Sequence, residues 1–268
     1  MWEELLVVIK GGGDMATGVA HRLYRVGMRV AITELPQPTV IRRPVAFASA
    51  VLQGEITVEG VTARLADNPA QALAFLDEGV IPVLVDPEAN VVRKWQPDVV
   101  VDATVAKRNL GTRITDASIV IALGPGFTAG VDCHAVVETQ RGHFLGRVLT
   151  EGQAAPNTGI PGAVQGYTEE RVIRAPCAGT FRGERRIGDR VEAGQTVARV
   201  DDEPVVARIP GVLRGLLADG LLVHAGMKVG DVDPRGVVEH CFTISDKARA
   251  VGGGVLEAIL WLRRQRNQ

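Results

Sequence analysis

Apolar and polar positions follow two different rhythms along this chain. Residues 5–9 (Leu5-Leu6-Val7-Val8-Ile9) are an uninterrupted apolar run ended by glycines, the pattern of a strand buried on both faces of a parallel sheet. Ala16, Val19, Ala20, Leu23 and Val26 then recur at helical spacing, Gly27 closes the helix, and residues 29–34 supply a second strand ending at Glu34. Further strands are predicted over 80–85, 98–102 and 118–123, with a helix from Asn68-Pro69 through Leu76. Such alternation is the signature of an α/β fold with a parallel sheet. Residues 35–67, interrupted by Pro36, Pro38 and Pro44, carry no sustained period.

From Glu151 to Gly166 the composition shifts to Ala, Pro, Asn and Gly, which reads as a linker. Beyond it the second rhythm begins. The ten residues from Val191 to Val200 return 32 positions later as Val223 to Val232, with five identities that include a Val-x-Ala-Gly turn. Two short all-β halves, each burying the other's apolar face, predict a small barrel-sandwich module. Asp246 to Arg264 then carries Val251, Val255, Leu256, Ile259, Leu260 and Leu262 at helical spacing, with Ser245-Asp246 as cap. The expected organisation is a Rossmann-like nucleotide-binding domain (1–165), a β barrel-sandwich module (166–240) and a C-terminal helix (241–268) that packs on the first domain.

Composition narrows the function classes. A net charge of −1 provides no field to draw the whole chain to nucleic acid or anionic lipid. Cys133, Cys177 and Cys241 are odd in number and widely spaced, which fits reduced thiols. Without a leader-like start or a long apolar run, the chain is expected in the cytoplasm and off the membrane.

The strongest chemical signal is the loop Gly11-Gly12-Gly13-Asp14-Met15-Ala16. Its Gly-x-Gly-x-x-Ala pattern follows a strand and opens a helix, where small residues let a backbone approach a phosphate at the positive helix end. Glu34 ends the second strand about 20 residues on, where an acid accepts from ribose hydroxyls. Asp14 repels phosphate unless it faces away, caps the helix or holds a metal. A tight structural turn without a ligand is the competing reading.

Ligands of open α/β sheets sit beyond the carboxyl ends of the strands, so Asp102, Thr104, Lys107, Arg108 and Asn109 after one strand and Gly124 and Gly126 after another join the candidate site. Lys107 and Arg108 could neutralise phosphate or carboxylate; the alternative is a solvated surface loop. Cys133 and His134 are the candidate catalytic pair, in a stretch that also holds Asp132, Glu138 and His143. On a regular strand these neighbours would point to opposite faces, whereas a loop would let them converge; a buried structural Cys with an exposed His is the competing reading.

The β module is similar to biotinyl or lipoyl carrier domains. That resemblance places Pro204, in Asp201-Asp202-Glu203-Pro204, at the hairpin tip where the family's lysine carries the cofactor, so a swinging-arm role is excluded.

Five stretches, residues 9–18, 102–109, 124–127, 133–143 and 230–235, together resemble the YqeB-type family of selenium-dependent molybdenum hydroxylase system proteins. More distantly, the first domain resembles the Rossmann domain of XdhC-type maturation factors. The resemblance implies an accessory factor for xanthine dehydrogenase-like hydroxylases, with the hydroxylase and its maturation proteins as partners. A molybdenum cofactor dinucleotide is then the expected ligand. An NAD(P)-dependent oxidoreductase and a non-catalytic scaffold that docks the hydroxylase are the alternatives. Metal ligands and oligomeric state, including a homo-oligomer, stay open.

Overall fold

A computed structural model describes residues 2–266. The chain divides into two units, the first made of residues up to Pro38, Ala46–Asn157 and the stretch from Ile244 onward, the second of Thr39–Val45 and Thr158–Thr243. Two boundaries thus differ from those expected after 165 and 240, and residues 39–45, where prolines obscured any period, join the second unit.

The first unit contains β1 (Leu6–Lys10), α1 (Asp14–Arg25), β2 (Arg29–Glu34), α2 (Ala50–Gln53), β3 (Glu55–Val58), β4 (Val61–Ala66), α3 (Pro69–Asp77), β5 (Ile81–Val85), α4 (Asn90–Trp95) and β6 (Val99–Asp102). It continues through β7 (Ile119–Leu123), β8 (Thr128–Ala129), β9 (Ala135–Val137), β10 (Val148–Leu149) and β11 (Gly152–Gln153). Among the described residues, nine of these strands form one sheet in the order β10-β9-β7-β6-β1-β2-β5-β4-β3. All neighbours in the run from β9 to β4 are parallel, and only the edge strands β3 and β10 are antiparallel. The chain is therefore mixed α/β with a large, mostly parallel sheet.

Burial explains the continuous apolar runs, because Val7, Val8 and Ile9 of β1 are wholly inaccessible. From β1 the chain passes to β2, out to the edge strand β3 and back inward through β4 to β5, then crosses to place β6 on the other side of β1. This reversal makes the carboxyl ends of β1 and β6 the topological switch point.

The first unit closes with α5 (Asp246–Arg266), capped by Ser245 Oγ, which accepts from the Ala248 amide at 3.1 Å. Its buried face carries Ala248, Val251, Gly252, Val255, Ala258 and Ile259. Small residues let it lie close on α1, since a methyl added to Gly18 would stand 2.7 Å from the Ala248 carbonyl oxygen.

In the second unit β12 (Val172–Arg174) is followed by β13 (Gly179–Gly183), β14 (Arg190–Val191), β15 (Thr196–Val200), β16 (Glu203–Val206), β17 (Gly211–Leu216), β18 (Leu222–Val223) and β19 (Lys228–Asp233). They make two four-stranded antiparallel sheets, β12-β19-β17-β14 and β16-β15-β13-β18, around a core that includes Phe181, Val197, Leu213 and Val229. The repeat is structural as well, since β13, β14 and β15 each begin 32 residues before β17, β18 and β19. Each half lends a two-residue strand to the other's sheet, β14 to β17 and β18 to β13. The β15–β16 hairpin turns at Asp201-Asp202, and Pro204 lies within β16 opposite Arg199, not at the tip. As β16 is an edge strand, the missing proline N–H leaves no gap in the sheet.

Candidate functional site

The loop from β1 to α1 turns tightly because Gly11 adopts φ +88°, and its amide donates to Thr33 O at 2.8 Å. A side chain there would press on the Thr104 backbone, at 3.2 Å from Cα, so the loops after β1 and β6 meet without intervening side chains. Gly12 is buried. Its amide donates to Glu34 Oε2 at 2.7 Å and its carbonyl accepts from the Ala48 amide at 2.8 Å. Thr17, also buried, accepts from the Phe47 amide at 2.8 Å. The segment Phe47–Ser49 thus covers the middle of the loop, a contact that the irregular pattern of residues 35–67 did not reveal.

Gly11 and Gly13 stay partly exposed, and Gly13 is the N-cap of α1 with no side-chain capping bond. Gly13 has no side chain to cap the first turn of this twelve-residue helix, and a helix start of that kind is suited to a phosphate oxygen. Asp14, Met15 and Ala16 form that first turn. Glu34 is 9% exposed, and its other oxygen, Oε1, accepts from the Leu35 amide at 2.7 Å. The acid expected to meet ribose is therefore also the brace that fixes the glycine loop, with one further lone pair free on each oxygen.

Asp102 at the end of β6 is 1% exposed, and it organises its own loop rather than presenting a charge. Its Oδ1 accepts from the Thr104 hydroxyl at 2.7 Å and its Oδ2 from the Thr112 hydroxyl at 2.6 Å. Asn109 is similarly engaged, with Oδ1 accepting from the Thr112 amide at 2.8 Å and Nδ2 donating to the Thr112 carbonyl at 2.8 Å. Lys107 and Arg108 are exposed, with Lys107 at φ +64°. A methyl on Gly126 would stand 2.6 Å from Arg108 N, so the β7 loop seats directly on the β6 loop. Gly124 gives way to Thr139 in the same manner.

Cys133 and His134 are not brought to one reacting centre. Cys133 is fully buried, and burial followed by the Asp132 charge pushes its thiol up to about 12, so it is protonated at neutral pH. The neighbouring His134 accepts from the Val120 amide through Nδ1 at 2.9 Å. Burial and the Arg266 charge lower its pKa against that bond.

Lys247, in the first turn of α5, is a charge that sequence inspection missed because helical periodicity marked only its apolar neighbours. Burial lowers its pKa, the charges of Asp14, Glu138 and Asp246 oppose that, and Arg141 adds to it. The arrangement supplies the positive charge that answers Asp14. Among the described residues no group of three or more His, Cys, Asp or Glu is placed to hold a metal ion. None of their helices is long and apolar enough to cross a membrane.

No family model matches the chain. It is similar to the uncharacterized protein YqeB of Escherichia coli, at 54% identity over 260 residues, covering 97% of this chain and 48% of that protein. The chain thus spans about half the length of that relative. Among solved structures, an aspartoacylase family protein from Mesorhizobium loti aligns over 85% of this chain and 84% of its own, at 9% identity and a TM-score of 0.28. TcdA (CsdL) aligns over 98% and 89%, at 11% identity and a TM-score of 0.32. Scores this low fall short of a shared fold.

Proposed function

We propose that the first unit is a Rossmann-like domain that binds a nucleotide-bearing ligand at its switch point, and that the chain serves as an accessory factor in maturing selenium-dependent molybdenum hydroxylases. One observation carries the binding part: α1 starts at Gly13, which has no side chain to cap it, beside the loops that follow β1, β6 and β7. The accessory role rests on the five sequence stretches that resemble the YqeB-type family.

The residues present fit a dinucleotide. Gly13 and the amides of Met15 and Ala16 would hold its phosphates, with Gly11 making the tight turn that lets them approach, and Glu34 would accept from a ribose hydroxyl. Lys107 and Arg108 are exposed on the adjoining loop and can screen remaining charge. A molybdenum cofactor dinucleotide would bring the metal and its pterin dithiolene with it. The protein's own part is then to bind and orient the nucleotide end, since Cys133 offers no thiolate for covalent sulfur chemistry. We further read the second unit as a biotinyl/lipoyl-like barrel sandwich whose tip, Asp201-Asp202, has no amine to acylate, which leaves it as a docking surface for the hydroxylase or its maturation proteins.

Calorimetry with ADP, NAD and molybdopterin cytosine dinucleotide tests the binding part. At least one should bind, and Gly13→Asp, which puts a carboxylate where phosphate would sit, should abolish the heat. Absence of binding by all three at millimolar concentration ends the proposal. An absorbance change at 340 nm with NADH would instead favour the oxidoreductase alternative.

A further inference from the structure

Lys10 is the last residue of β1, and its side chain lies apart from the amides at the start of α1. Together with Arg93 of α4 and Arg113 of the long β6–β7 connection, it lines a cavity of about 160 Å³ beside the switch point. Glu88 and Asp116 lie on the same walls. All of these residues belong to the first unit.

The hydrogen bonding orients the cations without neutralising them. Lys10 Nζ donates to the Thr112 hydroxyl at 2.7 Å, and that hydroxyl donates to buried Asp102 at 2.6 Å. Thr112, 2% exposed, thus passes the pull of the carboxylate to the ammonium while leaving two of its protons for another acceptor. Arg93 donates one N–H to Asn90 Oδ1 at 3.1 Å. The Arg113 amide donates to Asp116 Oδ2 at 3.1 Å, which folds that loop back and occupies the acid with backbone. Among the described residues none of the three cations makes an ion pair, although two carboxylates share the cavity. The three cations outnumber the two carboxylates on the same walls, which leaves a net positive charge for a bound anion to offset.

We propose that this cavity is a binding site for a small oxyanion, a phosphate or pyrophosphate group, held by Lys10, Arg93 and Arg113. Its volume falls below the ~300 Å³ of the smallest usual organic-ligand pockets, so it takes the charged group and not a nucleoside. An oriented ammonium with two arginines on the same walls suits a tetrahedral dianion, which accepts from several directions at once. This goes beyond the nucleotide reading and stands if that reading fails, because the cavity lies past Lys10 and does not use the amides at the start of α1.

The test is a titration of the full chain with inorganic phosphate and with pyrophosphate, followed by calorimetry and phosphorus NMR. One of the two should bind with a dissociation constant below 1 mM, to be read at about micromolar to submillimolar protein. Arg93→Gln and Arg113→Gln are exposed changes that leave the fold intact, and each should weaken binding about tenfold. Lys10→Met should weaken it at least as much, with circular dichroism confirming that the variant is folded. Gly13→Asp should bind the anion as the parent does. Dissociation constants above about 1 mM for both anions, or binding indifferent to both arginine changes, overturn the proposal. Loss in Gly13→Asp with retention in the arginine variants would assign the anion to the glycine loop and overturn it equally.

Discussion

Gly18, in the second turn of α1, should resist even the smallest enlargement. In an unhindered helix a Gly→Ala change stabilises by about 1 kcal/mol, because glycine loses more backbone freedom on folding. At Gly18 the added methyl would stand 2.7 Å from both Ala248 Cβ and Ala248 O, and 2.8 Å from the carbonyl carbon. Those atoms include backbone of α5, whose start is held by the Ser245 cap and by Glu59, which accepts from the Ile244 amide at 2.8 Å. They cannot swing aside as a flexible side chain would. Overpacking of this kind costs about 1–3 kcal/mol, so the expected balance is a destabilisation of about 1 kcal/mol. Gly253, on the same helix α5, has nothing nearer than Arg22 at 3.8 Å, so Gly253→Ala should stabilise by about 0.5–1 kcal/mol. All three tryptophans, Trp2, Trp95 and Trp261, lie in the first unit, so urea unfolding followed by their fluorescence reports that unit directly. A Gly18→Ala variant as stable as the parent would refute the reasoning, as would the same sign of change at both glycines.

Thiol chemistry gives a second check. Cys133 and Cys241 are fully buried, with both thiols raised by burial, whereas Cys177 is partly exposed. A thiol reagent at pH 8, to be taken as roughly the ordinary thiol range, should label Cys177 alone in native protein and all three cysteines in denaturant; rapid native labelling of Cys133 would contradict the burial argument. Acid sensitivity of the second unit gives a third. Burial would raise the Asp233 carboxyl, but hydrogen bonds and charge from Arg235, with Arg214 behind it, win and hold it below its ordinary value. A lowered carboxyl stabilises the fold above its unfolded pKa and loses that contribution as pH falls through the folded value. Asp233→Asn should therefore destabilise at neutral pH by about 3 kcal/mol, with the difference from parent shrinking below about pH 4. An equal penalty at pH 7 and in acid, measured by urea unfolding under circular dichroism at about those two conditions, would show that Asp233 acts by shape alone.

The parts of the fold legible in the sequence are those set by local period. Leu5 to Ile9, the helix after the glycine loop and the segments 80–85, 98–102 and 118–123 declare themselves because strands buried on both faces must be apolar at every position. The 32-residue repeat is readable for a related reason, since the two halves meet the same packing demand. What stays hidden depends on distant partners. Phe47–Ser49 is a short 3-10 turn whose burial comes from lying over Gly12 and Thr17, and no period announces a contact of that sort. Residues 39–45 leave the first unit through bonds such as Arg43 Nε to Leu216 O at 2.8 Å, a partner 173 positions away.

The same distinction applies to the site. A Gly-x-Gly-x-x-Ala pattern tells that the chain turns sharply into a helix, but not which amides remain open once the turn is packed. Here the answer comes from Glu34 and Ala48. By engaging the amide and the carbonyl of Gly12, while Thr33 O takes the Gly11 amide, they fix the first part of the loop and leave Gly13 at its accessible edge. A loop braced in this way needs little reorganisation to receive a phosphate, so the interaction is not spent on ordering backbone. Asp14 alone would work against that affinity, as a negative charge in the first turn of the receiving helix. Lys247 opposes it from the first turn of a helix more than two hundred residues later in the chain. The pairing gives α5 an electrostatic role at the loop in addition to its packing on α1. It also explains how a glycine loop carrying an acid can serve an anionic ligand, a conflict that the loop sequence by itself leaves standing.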